Sequence, residues 1–221
     1  MDRKIRITGD QVKPLFESRF IKVFDLQYEE GRHYYDATRR PLSDLAATKT
    51  DEEFRKMLPD AVSCIVIVET PEEEPRLLLS YEYRYPAGQF LLSVPAGLID
   101  AADKEAENPL LVTARRELKE ETGIELGADD ELTVVNPLLF STPGMTDESN
   151  ALVCAHIHLP DLSGLSQEGA QGSECFDGFS LLTKEEARCI LRDGRDVHGN
   201  FYSVYTWAAL TYFVADLWRK C

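Results

Sequence analysis

Three glutamates in the middle of the chain have a spacing that could hold a metal ion. Glu117, Glu120 and Glu121 stand at i, i+3 and i+4, so on a helix their carboxylates lie on one face. Like charges at this spacing repel, and the C-terminal half of a helix also disfavours anions. A hard divalent cation such as Mg²⁺ would offset both effects by binding carboxylate oxygen. Taken alone, however, the helix is more typical of a solvated acidic face than of a metal site.

The neighbouring residues favour the metal site. The nine residues that begin at Arg116 read Arg-Glu-Leu-Lys-Glu-Glu-Thr-Gly-Ile, and PAGLID stands upstream at 95–100. This resembles the Nudix box, whose core is an Arg-Glu-apolar-X-Glu-Glu-X-Gly-apolar string preceded by a glycine loop, and the second half matches completely. In the first half, Gly97 and Arg116 stand 19 positions apart. We interpret this as a five-residue insertion before the helix, with Glu105 or Glu107 in place of the family's glutamate.

The resemblance implies a bound divalent metal, Mg²⁺ or Mn²⁺. Its ligands would be the backbone carbonyl of Ala96 and the carboxylates of Glu117, Glu120 and Glu121, and Glu121 would also act in catalysis. Structural roles in the motif are implied for Gly97, Arg116 and Gly123. Such a metal would also allow a chain with excess negative charge to bind phosphate groups.

Two segments outside the box resemble the ADP-ribose (ADP-sugar) pyrophosphatase branch of the family. They are Tyr-Glu-Tyr-Arg-Tyr-Pro at 81–86 and Ser-Thr-Pro-Gly-Met-Thr-Asp-Glu at 141–148, and an N-terminal hairpin also fits that branch. The branch implies a homodimer in which each partner lends residues to the other's substrate pocket. It implies substrate contacts at Arg39, Arg40, Arg84, Leu98 and Glu148. Without the resemblance, the first two arginines could be strand-end charges and the third a stacked surface arginine.

A stretch at 166–179 that is rich in glycine and serine is typical of a mobile loop. The branch uses a glutamate from such a loop, and we assign this catalytic role to Glu174, with Glu168 as the rival. The implied reaction is hydrolysis of a pyrophosphate bond, in which a carboxylate takes or positions the proton of the attacking water. From ADP-ribose the products would be AMP and ribose 5-phosphate.

Two other functions stay open at this point. The box does not separate an ADP-sugar from UDP-glucose, a dinucleoside polyphosphate or coenzyme A as the substrate. A Nudix-like sensor that binds a nucleotide sugar without cleaving it is the second alternative. Such a binder has no need of three clustered carboxylates, so hydrolysis is favoured.

Capping signals and hydrophobic periodicity outline the elements that must position these residues. Asn108 and Pro109 begin a helix that Gly123 ends, which predicts a helix over 109–122. An uninterrupted apolar run at 61–68 is typical of a central strand buried on both faces. Further expected elements are a hairpin within 20–38, a short helix at 51–58, strands at 77–83, 90–94, 131–140, 151–159 and 176–182, and a capped helix at 184–193.

The predicted fold class is α/β: a Nudix-type α/β/α sandwich with a mixed sheet, plus an N-terminal antiparallel β-hairpin subdomain. A change in charge supports a boundary near Pro59, because residues 1–58 carry a net charge of +1 and the remainder −16. We expect 1–59 to serve dimerisation and the substrate pocket, and 60–221 to form the hydrolase domain.

Overall charge and composition narrow the class of partner and the compartment. The 221 residues include 39 acidic and 24 basic side chains, a formal net charge of −15, which argues against nucleic acid or a membrane surface as a partner. Five cysteines without a CxxC pair fit reduced thiols, and the first ten residues lack the apolar run of a signal peptide. A cytoplasmic protein is therefore expected. The apolar stretch at 203–220 is interpreted as a packed helix and not as a membrane span.

His156 and His158 lie two positions apart on a predicted strand, with Cys154 on the same face. This spacing could serve zinc, but no further ligand stands at a recognisable spacing in the sequence. We interpret them as polar positions on a half-exposed strand.

The metal assignment predicts that Glu121→Gln lowers turnover by orders of magnitude while the fold stays intact, because an amide oxygen carries no charge for a divalent cation. Steady-state hydrolysis rates, with circular dichroism as the control for folding, measure this. A variant with near-normal rates would remove the assignment.

Overall fold

The computed structural model describes residues 5–219, and these form two compact units. The N-terminal unit consists of the residues up to Asp60 together with Leu138–Asn150. The core unit consists of Ala61–Pro137 and the residues from Ala151 onward. The first unit thus ends at Asp60, close to the boundary that was expected near Pro59. The N-terminal unit also includes 138–150, which was expected to belong to the hydrolase domain.

The N-terminal unit is built on a three-stranded antiparallel sheet. Its strands β1 (Val12–Glu17), β2 (Lys22–Glu29) and β3 (Arg32–Thr38) follow one another in spatial order. The predicted hairpin is confirmed as β2 and β3, with Gly31 at φ +69° in the turn between them. β1 was not predicted from the sequence. Val12 is its one buried residue, so buried and exposed positions do not alternate along the strand. A short helix α1 (Asp51–Lys56) follows the sheet.

The core unit contains the larger sheet, in the order β10-β5-β4-β9-β8, with β6 paired to β5 and β7 paired to β4. The strands of this sheet are β4 (Ala61–Thr70), β5 (Glu73–Arg84), β6 (Gln89–Ser93), β7 (Ala96–Leu98), β8 (Glu131–Phe140), β9 (Ser149–His158) and β10 (Phe176–Leu182). The last three residues of β8 and the first two of β9 are counted with the N-terminal unit. Its helices are α2 (Ala101–Lys104), α3 (Pro109–Thr122), α4 (Lys184–Asp193) and α5 (Val204–Val214). The prediction of a central buried strand is confirmed by β4, whose first eight residues are all buried.

Helices cover both faces of this sheet, which confirms the expected α/β/α sandwich. On one face Val62, Cys64 and Val66 of β4 pack in a cluster with Ala114 and Leu118 of α3. On the other face, the alternate residues of β4 pack against α4 and α5. Each large side chain buried in this way contributes about 1.5–3 kcal/mol. α3 is therefore fixed against the sheet by its apolar stripe, while its glutamates lie on an adjacent face.

The C-terminal apolar stretch forms the 11-residue helix α5, with Ala209, Leu210 and Phe213 buried. Within residues 5–219 the helices fall short of the length and apolarity that crossing a bilayer requires. Lys220, at the end of the predicted packed helix, lies outside the described residues, as does Cys221. The other four cysteines are free thiols.

Arg40, an expected substrate contact, is buried in the N-terminal unit with 7% of its surface exposed. Its guanidinium lies 3.1 Å from Asp44 Oδ2, 3.0 Å from Asp60 Oδ1 and 3.7 Å from Asp147 Oδ2. It also donates a hydrogen bond to the carbonyl of Leu58 at 3.0 Å. These partners bind both Nη atoms of Arg40, so the side chain links parts of the N-terminal unit and exposes little surface to a substrate.

The two neighbouring arginines should therefore behave differently when replaced. Arg40→Ala leaves buried aspartates without their cation and should lower the free energy of unfolding by about 3–5 kcal/mol. Arg39→Ala removes a half-exposed side chain and should cost no more than about 1 kcal/mol. Urea unfolding at neutral pH measures both, and equal losses would contradict a structural role for Arg40.

Candidate active site

The close approach of β7 and α3 explains the glycine at position 97. β7 pairs with β4 so that Gly97 lies opposite Val62, and a Cβ on Gly97 would overlap the carboxylate of Glu117. A side chain at position 97 would therefore displace that carboxylate. On the same strand, the backbone N–H of Ala96 donates to Glu121 Oε2 at 3.2 Å.

Arg116 joins the loop to the glutamates of α3. Its Nη2 donates to the carbonyl of Leu98 at 2.9 Å, while Nη1 donates to Glu117 Oε1 at 2.7 Å and to Glu120 Oε2 at 3.1 Å. It also makes hydrogen bonds from Nε and Nη2 to Asp103 Oδ2 at 3.3 and 3.0 Å. One guanidinium thus bonds to the strand before α3 and to two carboxylates of α3.

Asp103 is the acidic partner of Arg116, and the interpretation that Glu105 or Glu107 takes this place is wrong. Asp103 is 6% exposed and accepts a further hydrogen bond from Thr113 Oγ1 at 2.9 Å, whereas both glutamates are exposed. It stands six positions after Gly97, where a forward count from the glycine places the family's acid. The insertion therefore follows Asp103 and separates it from the helix.

The Asp103–Arg116 pair should stabilise the fold in a pH-dependent way. Burial opposes ionisation of Asp103, but hydrogen bonds from Arg116 and Thr113 outweigh it and lower the pKa of Asp103. Asp103→Asn should lower the free energy of unfolding by about 2–4 kcal/mol at neutral pH. Because the folded-state pKa is depressed, the difference from wild type should shrink as the pH falls through that pKa.

Glu107→Gln is the matched control, with an expected change within about 0.5 kcal/mol. Denaturant unfolding at neutral and acid pH measures all three proteins. A loss in Glu107→Gln as large as that in Asp103→Asn would contradict the assignment.

Burial makes Glu117 a weak acid in spite of its arginine. Its side chain is 5% exposed, and burial raises the pKa of Glu117 to about 7. The negative charges of Glu120 and Glu174 raise this pKa further, while Arg116 acts in the opposite direction. Near neutral pH and without a further cation, the protonated form of Glu117 is therefore much more favoured than in an ordinary glutamate.

Burial raises the pKa of Glu121 more than that of Glu117, and Glu121 is 3% exposed. Burial raises the pKa of Glu121 to about 9, and the charges of Glu82, Glu117 and Glu174 add to it. The hydrogen bond from the N–H of Ala96 acts in the opposite direction. Burial also raises the pKa of Glu82. The charges of Glu82, Glu117 and Glu174 thus disfavour the ionised form of Glu121.

These carboxylates fit a hard divalent cation. Their donor atoms are all oxygen, which Mg²⁺ and Mn²⁺ prefer. A bound cation would supply the positive charge that Arg116, shared with Asp103, provides only in part. The Glu121 carboxyl in particular requires such a charge to ionise near neutral pH.

Glu174 is held near the box carboxylates by the strand pairing that follows it. The carbonyl of Cys175 accepts a hydrogen bond from the N–H of Tyr83 at 2.8 Å, and Phe176 begins β10 opposite Glu82 of β5. The Glu174 side chain is exposed and accepts a hydrogen bond from the N–H of Gln171 at 2.7 Å. Its charge raises the pKa of Glu117 and Glu121 on α3, and its side chain is accessible to water.

The beginning of the same loop is attached to the C-terminal end of α3. Gly123 ends the helix at φ +73°, and the N–H of Ser166 donates to the carbonyl of Thr122 at 3.0 Å. A Cβ on Gly169 would overlap the backbone carbonyl of Glu120. Sequence reasoning missed Gly169, and its only signal was the glycine content of the loop. The loop therefore approaches the backbone of α3 closely at two points, Thr122 and Glu120.

The remaining expected substrate contacts are exposed in part. In the core unit, Arg84 pairs with Glu82 at 2.5 Å, and the Leu98 side chain is 45% exposed. In the N-terminal unit, Arg39 Nε lies 3.0 Å from Glu148 Oε1, so these two expected contacts bind each other. All four residues are accessible, and their contact with a substrate stays a prediction.

Known proteins resemble this chain in sequence. Residues 57–204 match the family model of the NUDIX domain. A putative nudix hydrolase 2 from Caenorhabditis elegans is 40% identical over 81 residues, which are 37% of this chain and 33% of that protein. An ADP-ribose pyrophosphatase from Mycobacterium tuberculosis is 32% identical over 114 residues, which are 52% of this chain and 47% of that protein. These matches span between a third and a half of the relatives' own length.

The fold also resembles a solved structure. The crystal structure of an ADP compounds hydrolase superposes with a TM-score of 0.54 at 21% identity, and the match covers 94% of this chain and 90% of that chain. At this identity the likeness concerns the fold alone. The NUDIX model covers more than half of the chain, including the helix and loop of the site, and the chain therefore belongs to the NUDIX family.

Proposed function

We propose that this chain is a divalent-metal-dependent hydrolase that cleaves the pyrophosphate bond of an ADP-sugar, with ADP-ribose as the substrate. The observation that carries the proposal is the group of buried box carboxylates whose pKa values are raised, to about 7 at Glu117 and about 9 at Glu121. A cation bound among such carboxyls favours their ionised form and so offsets the effect of burial and of their neighbouring negative charges. A protein that only recognises a nucleotide does not need such a cluster of carboxylates.

Four residues of the core unit would hold the metal. They are the carboxylates of Glu117, Glu120 and Glu121 and the backbone carbonyl of Ala96. When bound, Mg²⁺ or Mn²⁺ would neutralise charge on the diphosphate and lower the pKa of water. Arg116 keeps Glu117 and Glu120 in place throughout, and Gly97 leaves the space that the Glu117 carboxylate occupies.

Glu174 is the carboxylate that would accept or position the proton of the attacking water. A general base must be accessible to water and near the reacting group. Glu174 is exposed, and its charge contributes to the raised pKa values of Glu82, Glu117 and Glu121. Its rival Glu168 lies earlier in the same loop, where its N–H donates to Ser166 Oγ at 3.2 Å.

ADP-ribose is favoured as the substrate because a relative named ADP-ribose pyrophosphatase matches this chain. Arg39, Arg84, Leu98 and Glu148 are the side chains expected to contact it. Arg40 is left out because its guanidinium is buried among aspartates. A homodimer in the cytoplasm is part of the same proposal, and it rests on the resemblance to the ADP-sugar branch.

A substrate panel tests the proposal. The protein is incubated with Mg²⁺ and ADP-ribose, UDP-glucose, a dinucleoside polyphosphate or coenzyme A, and the products are separated by chromatography. We expect AMP and ribose 5-phosphate from ADP-ribose, and none after the metal is chelated. Turnover of another compound without ADP-ribose would overturn the substrate, and turnover of none would favour a sensor.

A pair of loop variants tests the assignment of the base. Glu174→Gln should lower kcat about a hundred-fold to ten-thousand-fold with little change in KM. Glu168→Gln is the matched control from the same loop and should keep most of the activity. If Glu168→Gln lowered kcat more than Glu174→Gln, Glu168 would be assigned as the base instead.

A further inference from the structure

A second group of possible metal ligands lies on the sheet of the core unit, apart from the box helix. Glu69 stands near the end of β4, and His156 and His158 stand on the neighbouring strand β9. One ligand atom from each residue lies within 4.8 Å of the others. We propose that these three side chains form a binding site for a transition-metal ion of the Zn²⁺ type.

Strand geometry brings the three ligands together. The two histidines are two positions apart, so both point to the same face of the sheet. The carbonyl of Glu69 accepts a hydrogen bond from the N–H of Leu159 at 2.9 Å, which fixes the two strands side by side at this point. The third ligand that the sequence did not reveal thus comes from a strand far away in the chain.

The distances suit ligands of one ion. Glu69 Oε1 lies 3.4 Å from His156 Nε2, and Glu69 Oε2 lies 3.7 Å from His158 Nε2. Both separations exceed the usual 2.7–3.2 Å range of an N–H···O hydrogen bond. Ligands at about 2.0–2.1 Å from a tetrahedral zinc ion are about 3.3 Å apart. Two of the three ligand separations are therefore close to those expected around a single ion.

His156 has an unused ring nitrogen. Its Nε2 is buried and makes no hydrogen bond within the part of the chain that the structure describes. Its ring packs edge-on against Trp218 with centroids 4.9 Å apart, and lies 4.6 Å from the ring of His158. A buried nitrogen without a hydrogen bond is unfavourable, and a metal ion at Glu69 would satisfy it.

Asp130 supports His158 in the manner of an outer-sphere residue of a metal site. Its Oδ1 lies 3.5 Å from His158 Nδ1, on the ring nitrogen opposite the one that faces Glu69. Asp130 is itself held, because it accepts hydrogen bonds from the N–H of His158 and the N–H of Gly127, both at 2.7 Å. A carboxylate that hydrogen-bonds to the second nitrogen fixes the tautomer and orientation of a metal-binding histidine, and Asp130 would need to approach His158 by about 0.3 Å to do so.

The donor set selects the ion. Two imidazoles and one carboxylate suit Zn²⁺ and its transition-metal neighbours, whereas Mg²⁺ prefers oxygen alone. The site therefore differs in selectivity from the box carboxylates. An ion bound here would join β4 to β9 next to Trp218, and it should stabilise the folded chain because the ligands come together only on folding.

Zinc binding in the presence of excess Mg²⁺ tests the proposal, since Mg²⁺ occupies oxygen sites. Equilibrium dialysis of the full chain against Zn²⁺, followed by metal analysis, should give one Zn²⁺ per chain. The His156→Gln/His158→Gln double variant should lose this ion, and Asp130→Asn should bind it about ten-fold to a hundred-fold more weakly. Wild-type melting temperature should rise with Zn²⁺, and that of the double variant should not.

Two controls separate this site from the rest of the chain. His198→Gln removes a histidine outside the group, and Glu121→Gln alters the box, so both should still retain one Zn²⁺. Melting curves in chelator show whether the double variant is folded, and if it is not, Glu69→Gln decides in its place. Absence of Zn²⁺ on the wild type, or equal Zn²⁺ on wild type and folded variants of the group, would overturn the proposal.

Discussion

Burial of Glu117 and Glu121 side by side is the constraint on which the rest of the active site depends. Taking carboxylates out of water disfavours their charged form, and neighbouring carboxylates add to the effect. Burial, together with the neighbouring carboxylates, raises the pKa of Glu121 to about 9. α3 is packed against the sheet through Ala114 and Leu118, and this packing places both glutamates of the helix in the same buried region.

Several otherwise unrelated features serve this constraint. The missing side chain at Gly97 gives the Glu117 carboxylate its space. Arg116 supplies one positive charge, but it divides that charge between the loop acid Asp103 and the glutamates. Glu174, brought in by the pairing of β10 with β5, adds a further negative charge. The acids thus outnumber the resident cation, which is why the proposed function includes a metal.

Sequence patterns within a short segment predicted the helices and strands that short-range interactions determine. α3 has the bounds 109–122 that its proline and C-terminal glycine indicate, and β4 is buried as its unbroken apolar run requires. Contacts between distant residues could not be predicted in this way. Asp103 was missed because an insertion can be placed on either side of it, and Glu69 because its histidines lie on another strand. Arg40 is polar in sequence and buried in the fold, since three aspartates surround it.

The most direct test of the account is the number of protons released when Mg²⁺ binds at neutral pH. Calorimetric titration in buffers of different ionisation enthalpy gives this number. Because burial raises the pKa of Glu121 to about 9 and that of Glu117 to about 7, we expect Mg²⁺ binding to release protons, and to release fewer in the Glu121→Gln variant, which lacks one of the two carboxyls. Binding of Mg²⁺ to the wild type without proton release would contradict the account.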